Sequence, residues 1–148
     1  MKQILNIFNK QKEFFHSEET KNIDFRINSL KKLKLIIKNN EELIIEALHK
    51  DLRKSPFEAF ATEIGLLYDE INLHIKKLRS WSKKEKRRSP IVHFPAKSYI
   101  YKEPYGVTLI IGPFNYPFQL IISPLIGAIS AGNCAIIKPS ENTHNTSL

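Results

Sequence analysis

Polar groups that could bind a ligand occur in two short stretches of the second half of the chain. In KPSE, residues 138–141, a lysine ammonium suits a ribose hydroxyl or a phosphate, and the Glu141 carboxylate suits the two vicinal hydroxyls of an adenosine ribose. In GPFNYP, residues 112–117, the amide of Asn115 stands alone between two aromatic residues. Taken by itself, KPSE is also the sequence of an ordinary surface turn that carries a lysine and a glutamate.

Three other features could carry chemistry, and each also has a structural explanation. His74 lies on an apolar helix face with no second ligand or acid at a matching offset, so we interpret it as a half-buried, hydrogen-bonded histidine. Cys134 lies in a predicted strand without a basic neighbour in sequence, which favours a packing cysteine over a nucleophile. The basic run KKEKRR, residues 83–88, fits a solvated helix end better than a nucleic-acid patch, because Trp81 is the only aromatic residue near it.

Composition limits the class of protein. The 148 residues are 42% hydrophobic, enough for a core, and the formal charge of +8 would suit nucleic acid, a membrane surface or a phosphorylated ligand. A single cysteine gives neither a disulfide framework nor a metal cluster, so we expect a reducing compartment and no metal site. The longest apolar stretch, residues 117–131, is too short to cross a bilayer, and no secretory signal is visible. These features predict a cytoplasmic protein without a transmembrane segment.

The first half of the chain has helical periodicity. Apolar residues recur at helical spacing over residues 4–15, 23–37 and 44–52. The clearest helix begins at SPFE, with Ser55 as the N-cap and Pro56 at the first helical position. A narrow apolar seam follows, and we expect it to pack on another helix or on a partner subunit. The seam consists of Phe57, Ile64, Ile71 and Leu78, and of Phe60, Leu67, His74 and Trp81 three residues later.

The second half of the chain predicts a strand, a turn, a helix and a second strand. Val107–Ile111 is a short apolar run of the kind buried on both faces of a parallel sheet. A helix is predicted from Pro117 to a stop at Gly132, kinked or restarted at Pro124, and residues 134–138 form the second strand. This is one βαβ unit with a right-handed crossover. GPFNYP and KPSE therefore both follow the carboxyl ends of strands, where open α/β sheets bind ligands, although no glycine-rich phosphate loop occurs.

Taken together, these stretches resemble a known family. EPYGVTLIIGPFNYPFQLIISPLIGAISAGNCAIIKPSE, residues 103–141, is similar to the start of the coenzyme domain in the NAD(P)-dependent aldehyde dehydrogenase superfamily, and most similar to its class 3-like, fatty-aldehyde and coniferyl-aldehyde branch. KDLRKSPFEAFATEIGLLYDEI upstream resembles the helical amino-terminal region of that family. One departure is Phe114, where the family usually has tryptophan.

The resemblance implies an α/β fold in three parts. Residues 1–82 would be the helical amino-terminal region, and residues 83–102 a basic linker with bridging strands. Residues 103–148 would be the first βαβ unit of a Rossmann-like coenzyme domain, incomplete within this chain. We therefore expect these residues to be poorly soluble or partly molten by themselves, because a lone βαβ unit exposes sheet edges and an apolar helix.

The resemblance also assigns roles around the NYP turn. The amide of Asn115 would donate to the aldehyde oxygen as negative charge develops on it, which makes this residue the oxyanion donor. Phe114 and Tyr116 would line an apolar substrate tunnel. The expected reaction is NAD(P)-dependent oxidation of an aldehyde to a carboxylic acid through a cysteine thiohemiacetal. The substrate would be a medium or long aliphatic aldehyde, or an aromatic one.

Cofactor contacts are implied at Gly112, Lys138, Ser140 and Glu141. Because the Glu141 carboxylate would repel a 2′-phosphate, NAD is the expected cofactor, with NADP also possible. The family's catalytic cysteine and glutamate lie downstream of KPSE, so we expect these 148 residues to be inactive alone within a longer, homo-oligomeric enzyme. Two alternatives stay open: a non-catalytic module for oligomerisation or binding and, more remotely, a basic nucleic-acid-binding protein.

Overall fold

A set of helices precedes a small α/β unit in the computed structural model, which describes residues 2–148, with side chains from residue 4 onward. The helices are α1 (Lys2–His16), α2 (Ile23–Asn39), α3 (Glu41–Leu52), α4 (Pro56–Ala59), α5 (Gly65–Trp81), α6 (Gln119–Ala131) and α7 (His144–Ser147). The strands are β1 (Glu85–Arg87), β2 (Ser98–Ile100), β3 (Val107–Ile111) and β4 (Cys134–Lys138). Within the described residues, no helix is both long and apolar enough to cross a membrane.

The core lies where α2, α5 and α6 meet. Helix α2 starts where the side-chain oxygen of Asn22 accepts the backbone N–H groups of Asp24 at 2.8 Å and Phe25 at 3.2 Å. The predicted apolar stripe of α2 is confirmed and packs against α5 and α6. The buried core side chains are Ile27, Leu30, Ile37, Ile64, Leu67, Ile71, Leu78 and Ile126.

Helix α4 begins as predicted and then changes its winding. The Ser55 hydroxyl oxygen accepts the N–H of Glu58 at 3.2 Å, which confirms the N-cap. Residues 60–64 form a π-helical turn before α5 continues. The wider turn shifts the helical phase, and only the middle of the seam, at Ile64, Leu67, Ile71 and Leu78, is buried against α2 and α6. Packing on another helix of this chain is thus confirmed for the middle of the seam, whereas Phe57, with 82% of its side chain exposed, and Phe60 and Trp81 remain uncovered in the single chain.

The basic run at residues 83–88 is not a helix end, so that interpretation was wrong. Helix α5 ends before it, and β1 pairs with β2 in an antiparallel two-stranded ribbon. The Lys84 ammonium lies 4.3 Å from the ring centroid of Tyr99. The Glu85 carboxylate forms an ion pair with Lys102 at 2.7 Å. These partners lie 15 to 17 residues away, so periodicity within the run could not reveal them.

The predicted βαβ unit is confirmed, with two differences. Strands β3 and β4 pair in parallel from Val107 opposite Cys134 to Ile111 opposite Lys138, and α6 connects them. Helix α6 starts at Gln119, two residues later than predicted, and continues through Pro124 without a restart. The expectation that β3 is buried on both faces was wrong for this chain. Leu109 is 62% and Ile111 66% exposed, so the face that carries them is not fully covered in this chain, although α1 as well as α6 contacts β3 and β4.

A buried arginine joins the helical half to the βαβ unit. The Arg26 guanidinium donates to the carbonyls of Thr20 at 2.5 Å, Lys21 at 3.2 Å and Ser130 at 3.3 Å. Burial lowers the pKa of Arg26. Gly132 ends α6 with φ of +87°, and a Cβ there would lie 2.5 Å from the guanidinium. Helix α6 can therefore approach α2 this closely only because a glycine follows it.

Candidate functional site

The two candidate turns start at the same edge of the β3–β4 sheet. The Gly112 N–H donates to the Lys138 carbonyl oxygen at 3.0 Å, which extends the parallel ladder by one residue. GPFNYP and KPSE thus leave the sheet side by side, as expected for the carboxyl ends of parallel strands. Gly112 is buried, and a Cβ there would lie 2.3 Å from Cγ1 of Ile121. The glycine therefore allows the close packing of α6 on the sheet.

The KPSE turn presents an ion pair to solvent. The Lys138 ammonium contacts the Glu141 carboxylate, and both side chains are exposed. The hydrogen bond from Lys138 is the main reason why the pKa of Glu141 is lowered, so this carboxylate is ionised at neutral pH. An ammonium donor beside an ionised carboxylate can bind a vicinal diol, with the carboxylate accepting from both hydroxyls.

Ser140, between these two charges, points into the turn. Its hydroxyl oxygen accepts the N–H of Asn142 at 3.2 Å, and its carbonyl accepts the Ser147 hydroxyl at 3.0 Å. The residue is buried. Ser140 therefore shapes the turn that carries the two charged groups, and any contact with a ligand there would come through the backbone around it.

Asp51 at the end of α3 holds the segment that follows KPSE. Its carboxylate accepts the backbone N–H and side-chain amide of Asn145, at 3.1 and 2.7 Å, and the backbone N–H and hydroxyl of Thr146, both at 2.7 Å. Burial raises the pKa of Asp51, but these hydrogen bonds together outweigh it, and the net pKa is lowered. The partners are about 95 residues apart, so no local pattern in the sequence signals this contact.

The NYP turn contains the three residues for which the family resemblance implies contacts with the substrate. Phe114, Asn115 and Tyr116 are all exposed, whereas Pro117 is buried and anchors the turn. The Asn115 side chain forms no hydrogen bond with the described part of the chain, so its amide is available as a donor. Phe114 and Tyr116 flank this amide but do not enclose a tunnel in this chain. The donor and the Phe114 ring are thus accessible to solvent, while one part of the Tyr116 ring contacts the buried Lys54 ammonium.

A buried ion pair that the sequence analysis missed lies beneath the NYP turn. The Lys54 ammonium contacts Oε1 of Glu63 at 2.5 Å, and both side chains are buried. Oε2 of Glu63 accepts the N–H groups of Phe118 at 2.9 Å and Gln119 at 3.3 Å. The Lys54 ammonium also lies 4.0 Å from the ring centroid of Tyr116. These partners are 55 to 62 residues apart, which is why no spacing in the sequence revealed them.

A cavity lies away from this edge of the sheet. It has a volume of about 430 Å³ and is lined by residues near the carboxyl end of α6, among them Arg26, His74 and Trp81. The NYP turn precedes the amino end of the same 13-residue helix, roughly 20 Å away. Because ligands of open α/β sheets bind beyond the strand ends, we place the candidate site at the two turns rather than at the cavity.

His74 has the structural role that the sequence suggested. Its Nδ1 lies 2.6 Å from the hydroxyl oxygen of Ser130, and its ring meets that of Trp81 edge-on with 5.1 Å between centroids. Burial lowers the pKa of His74. The imidazole links α5 to the carboxyl end of α6, far from Asn115.

Cys134 is buried in β4, where its N–H donates to the Gly106 carbonyl at 2.9 Å. Burial raises the pKa of the thiol, so little thiolate forms at neutral pH. We therefore predict that Cys134→Ala changes the turnover rate of the native protein by less than about twofold, measured by steady-state kinetics under reducing conditions. A turnover rate lowered about 100-fold or more, with an unchanged melting temperature, would assign a catalytic role to this thiol.

Comparisons of sequence agree with this geometry. The sequence profile of the aldehyde dehydrogenase family matches residues 2–148. The chain is 55% identical over 138 residues to 4,4'-diaponeurosporen-aldehyde dehydrogenase of Staphylococcus aureus, which covers 93% of this chain and 30% of that protein. It is 44% identical over 144 residues to aldehyde dehydrogenase family 3 comG of Dictyostelium discoideum, covering 97% and 31% respectively. The chain thus spans about 30% of the length of the curated relatives it matches.

Solved structures give the same result. The substrate-bound state of Staphylococcus aureus AldH superposes with a TM-score of 0.95 at 53% identity, covering 97% of this chain and 31% of that one. Succinic semialdehyde dehydrogenase from Streptococcus pyogenes, solved in complex with NADP+, superposes with a TM-score of 0.84 at 17% identity, covering 97% and 30%. The second likeness shows the fold alone. The predicted fold class, helices followed by the first βαβ unit of a Rossmann-like coenzyme domain, is confirmed.

Proposed function

This chain belongs to the aldehyde dehydrogenase family, and from that premise we propose that the native protein containing it oxidises an aldehyde to a carboxylic acid with NAD. The observation that carries the proposal is the pairing of GPFNYP with KPSE at one sheet edge through the Gly112–Lys138 hydrogen bond. That contact sets the turn that carries Asn115 beside the turn that carries the Lys138–Glu141 ion pair, which supports the proposal.

Asn115 supplies the charge stabilisation in the proposed reaction. When a thiolate adds to the aldehyde carbon, the electron pair of the carbon–oxygen π bond moves onto oxygen. The Asn115 amide N–H donates to that oxygen as its charge grows. The substrate carbon then loses a hydride, the carbonyl re-forms as a thioester, and water releases the acid and regenerates the thiolate. We place the nucleophile outside the described residues, because Cys134 is buried and its pKa is raised.

Lys138 and Glu141 fit the adenosine ribose of a dinucleotide. The ionised carboxylate accepts from the 2′- and 3′-hydroxyls, and the ammonium donates to a ribose oxygen. NAD, when bound, supplies the acceptor for the hydride. The negative charge of Glu141 opposes a 2′-phosphate, which favours NAD over NADP.

The substrate is proposed to be apolar, because the residues before and after Asn115 in the chain, Phe114 and Tyr116, carry exposed aromatic rings. A medium or long aliphatic aldehyde, or an aromatic one, would cover these rings and exclude water from the developing oxyanion. We also propose a homo-oligomer, by analogy with the family. The buried middle of the seam, Ile64 to Leu78, contacts α2 and α6, so the interface is proposed to use other surfaces.

The test is an assay of the native protein with hexanal or benzaldehyde, following reduced nicotinamide by absorbance. We predict activity with NAD+, and Glu141→Gln should raise kcat/KM for NADP+ relative to NAD+ by about fivefold or more, since one repulsive charge is removed. Glu46→Gln, which changes an exposed glutamate on α3, is the matched control and should leave this ratio unchanged. Absence of aldehyde-dependent reduction with either cofactor would favour the non-catalytic alternative.

A further inference from the structure

The buried ion pair beneath the NYP turn has contacts that a purely structural pair would not need. Two charges taken out of water cost several kcal/mol unless each finds further partners. Glu63 is fully buried and Lys54 nearly so, yet their additional partners are not scattered through the core. The partners are Tyr116, Phe118 and Gln119, which form the end of the NYP turn and the start of α6.

Glu63 fixes the point where the turn ends. The first N–H groups of a helix have no partner within the helix, and α6 lacks a capping side chain at its own N-cap, Phe118. The Glu63 carboxylate takes that place from a different helix, accepting from two of these groups. A carboxylate is favoured at a helix amino terminus, so this contact is both a hydrogen-bonded cap and a favourable charge interaction.

Lys54 fixes the aromatic residue next to the oxyanion donor. Its ammonium lies 4.0 Å from the ring centroid of Tyr116, a distance typical of a cation–π contact, which is stronger when desolvated. Lys54 also accepts at its carbonyl from His49 Nδ1 at 3.0 Å, which holds the lysine backbone against α3. The Lys54 ammonium is therefore held between the Glu63 carboxylate and the Tyr116 ring.

The NYP turn is consequently held at both ends and free in the middle. Its start is fixed by the Gly112 N–H on the Lys138 carbonyl, and its end by Glu63 and Lys54. Asn115 lies between these fixed points with its amide unbonded within the described residues. A donor must be aimed before charge develops if it is to stabilise a transition state, so the supports of Asn115 matter as much as the amide.

We propose that Lys54 and Glu63 are positioning residues, which hold the NYP turn so that the Asn115 amide is aimed at the substrate oxygen. This inference rests on the proposed function. Neither residue touches substrate, and each acts through the turn. Displacement of a catalytic group by about 1 Å can lower the rate about 100-fold, so loss of either support is expected to lower kcat about 10- to 100-fold.

The experiment uses the native protein with Glu63→Gln and Lys54→Met, each alone and combined with Asn115→Ala. In the otherwise wild-type background we expect the 10- to 100-fold loss in kcat, with KM for NAD+ within about twofold. In the Asn115→Ala background the same changes should lower kcat by less than about threefold, because the group they position is already gone. Equal losses in both backgrounds would overturn the proposal. Lys54→Arg should recover part of the loss, since it keeps the charge.

Amide hydrogen exchange gives a second measurement that does not depend on activity. In Glu63→Gln, peptides covering residues 114–122 should exchange at least several-fold faster, while peptides from α5 keep their protection. Unchanged exchange at residues 114–122, or faster exchange throughout α5, would overturn the proposal. If the native protein oxidises no aldehyde, the proposed function fails by itself, and exchange still decides whether the pair fixes the turn.

The matched controls are Lys50→Met and Glu46→Gln on α3. Lys50 and Glu46 form an ion pair at 2.7 Å, as Lys54 and Glu63 do at 2.5 Å, but both control side chains are more than half exposed. Exposed pairs contribute little. These controls should change neither kcat nor the exchange of residues 114–122. A loss in the controls equal to that in Lys54→Met would count against a specific role for the buried pair.

Discussion

Replacing Asn115 with alanine in the native protein is expected to lower kcat for aldehyde oxidation by about 100- to 1,000-fold, the effect typical of losing one oxyanion donor. The side chain is exposed and makes no hydrogen bond within the described residues, so its removal breaks nothing that stabilises the fold. KM for NAD+ should change by less than about twofold, because the proposed ribose contacts are on the other turn. Steady-state kinetics and a thermal melt check both statements.

Two further variants test whether loss of the Asn115 amide itself causes the lower kcat. Asn115→Asp keeps the size of the side chain but places negative charge where the oxyanion forms, so its kcat should be no higher than that of Asn115→Ala. Asn28→Ala removes an exposed amide from α2, on another part of the surface, and should leave kcat unchanged. Equal losses in kcat and in NAD+ affinity for Asn115→Ala would contradict the oxyanion assignment.

Gly112→Ala should lower the free energy of unfolding by about 1–3 kcal/mol, the usual cost of adding a carbon to a filled core. The added Cβ would lie 2.3 Å from Cγ1 and 2.5 Å from Cδ1 of Ile121, so α6 must move away from the sheet edge. Because the NYP turn connects Gly112 to α6, the same movement should also reduce kcat. Chemical denaturation of the native protein measures the first effect, and steady-state kinetics the second.

Gly127→Ala is the control for this change. Nothing lies within 4 Å of a Cβ at Gly127, and alanine is favoured over glycine inside a helix by about 1 kcal/mol, so this variant should be neutral or more stable. Combining Gly112→Ala with Ile121→Ala removes the clash, so the combined loss should be smaller than the sum of the single losses. Additive losses would show that contact with Ile121 is not the cause.

Local signals predicted the parts of the fold whose partners are near in sequence. Ser55 and Glu58 are three residues apart, and the cap they form was readable. The alternation of strand, helix and strand after Val107 was readable for the same reason. The exposed position of Phe57 could not be predicted in this way. We attribute this exposure to the π-helical turn at residues 60–64, which contains Glu63, and Glu63 accepts the N–H groups of Phe118 and Gln119. Nor could the basic run show that residues 98–100 would pair with it.

The residues of the candidate site also divide into those that the sequence could predict and those that it could not. The meeting of Gly112 and Lys138 follows from the rule that parallel strands end at one edge of a sheet, so sequence was sufficient. Lys54, Glu63 and Asp51 belong to the helical half, and the residues of the two turns and of α6 that they contact lie 55 to 95 residues further along the chain. A buried carboxylate on a helix has the same sequence signature as an exposed one until its tertiary partners are known. Sequence therefore found the residues on the two turns and missed the side chains of the helical half that hold these turns.

The core shared by α2, α5 and α6 also matters during synthesis, because its three helices are made at different times. Ile64, Leu67 and Ile71 share the buried cluster with Ile126, yet Ile126 follows Trp81, the last residue of α5, by 45 residues (126 − 81). At about 5–20 residues per second, that interval lasts roughly 2–10 s. In that interval α2 has already been made and can cover part of the α5 stripe, but the part that α6 covers stays exposed, long enough for many encounters with other proteins.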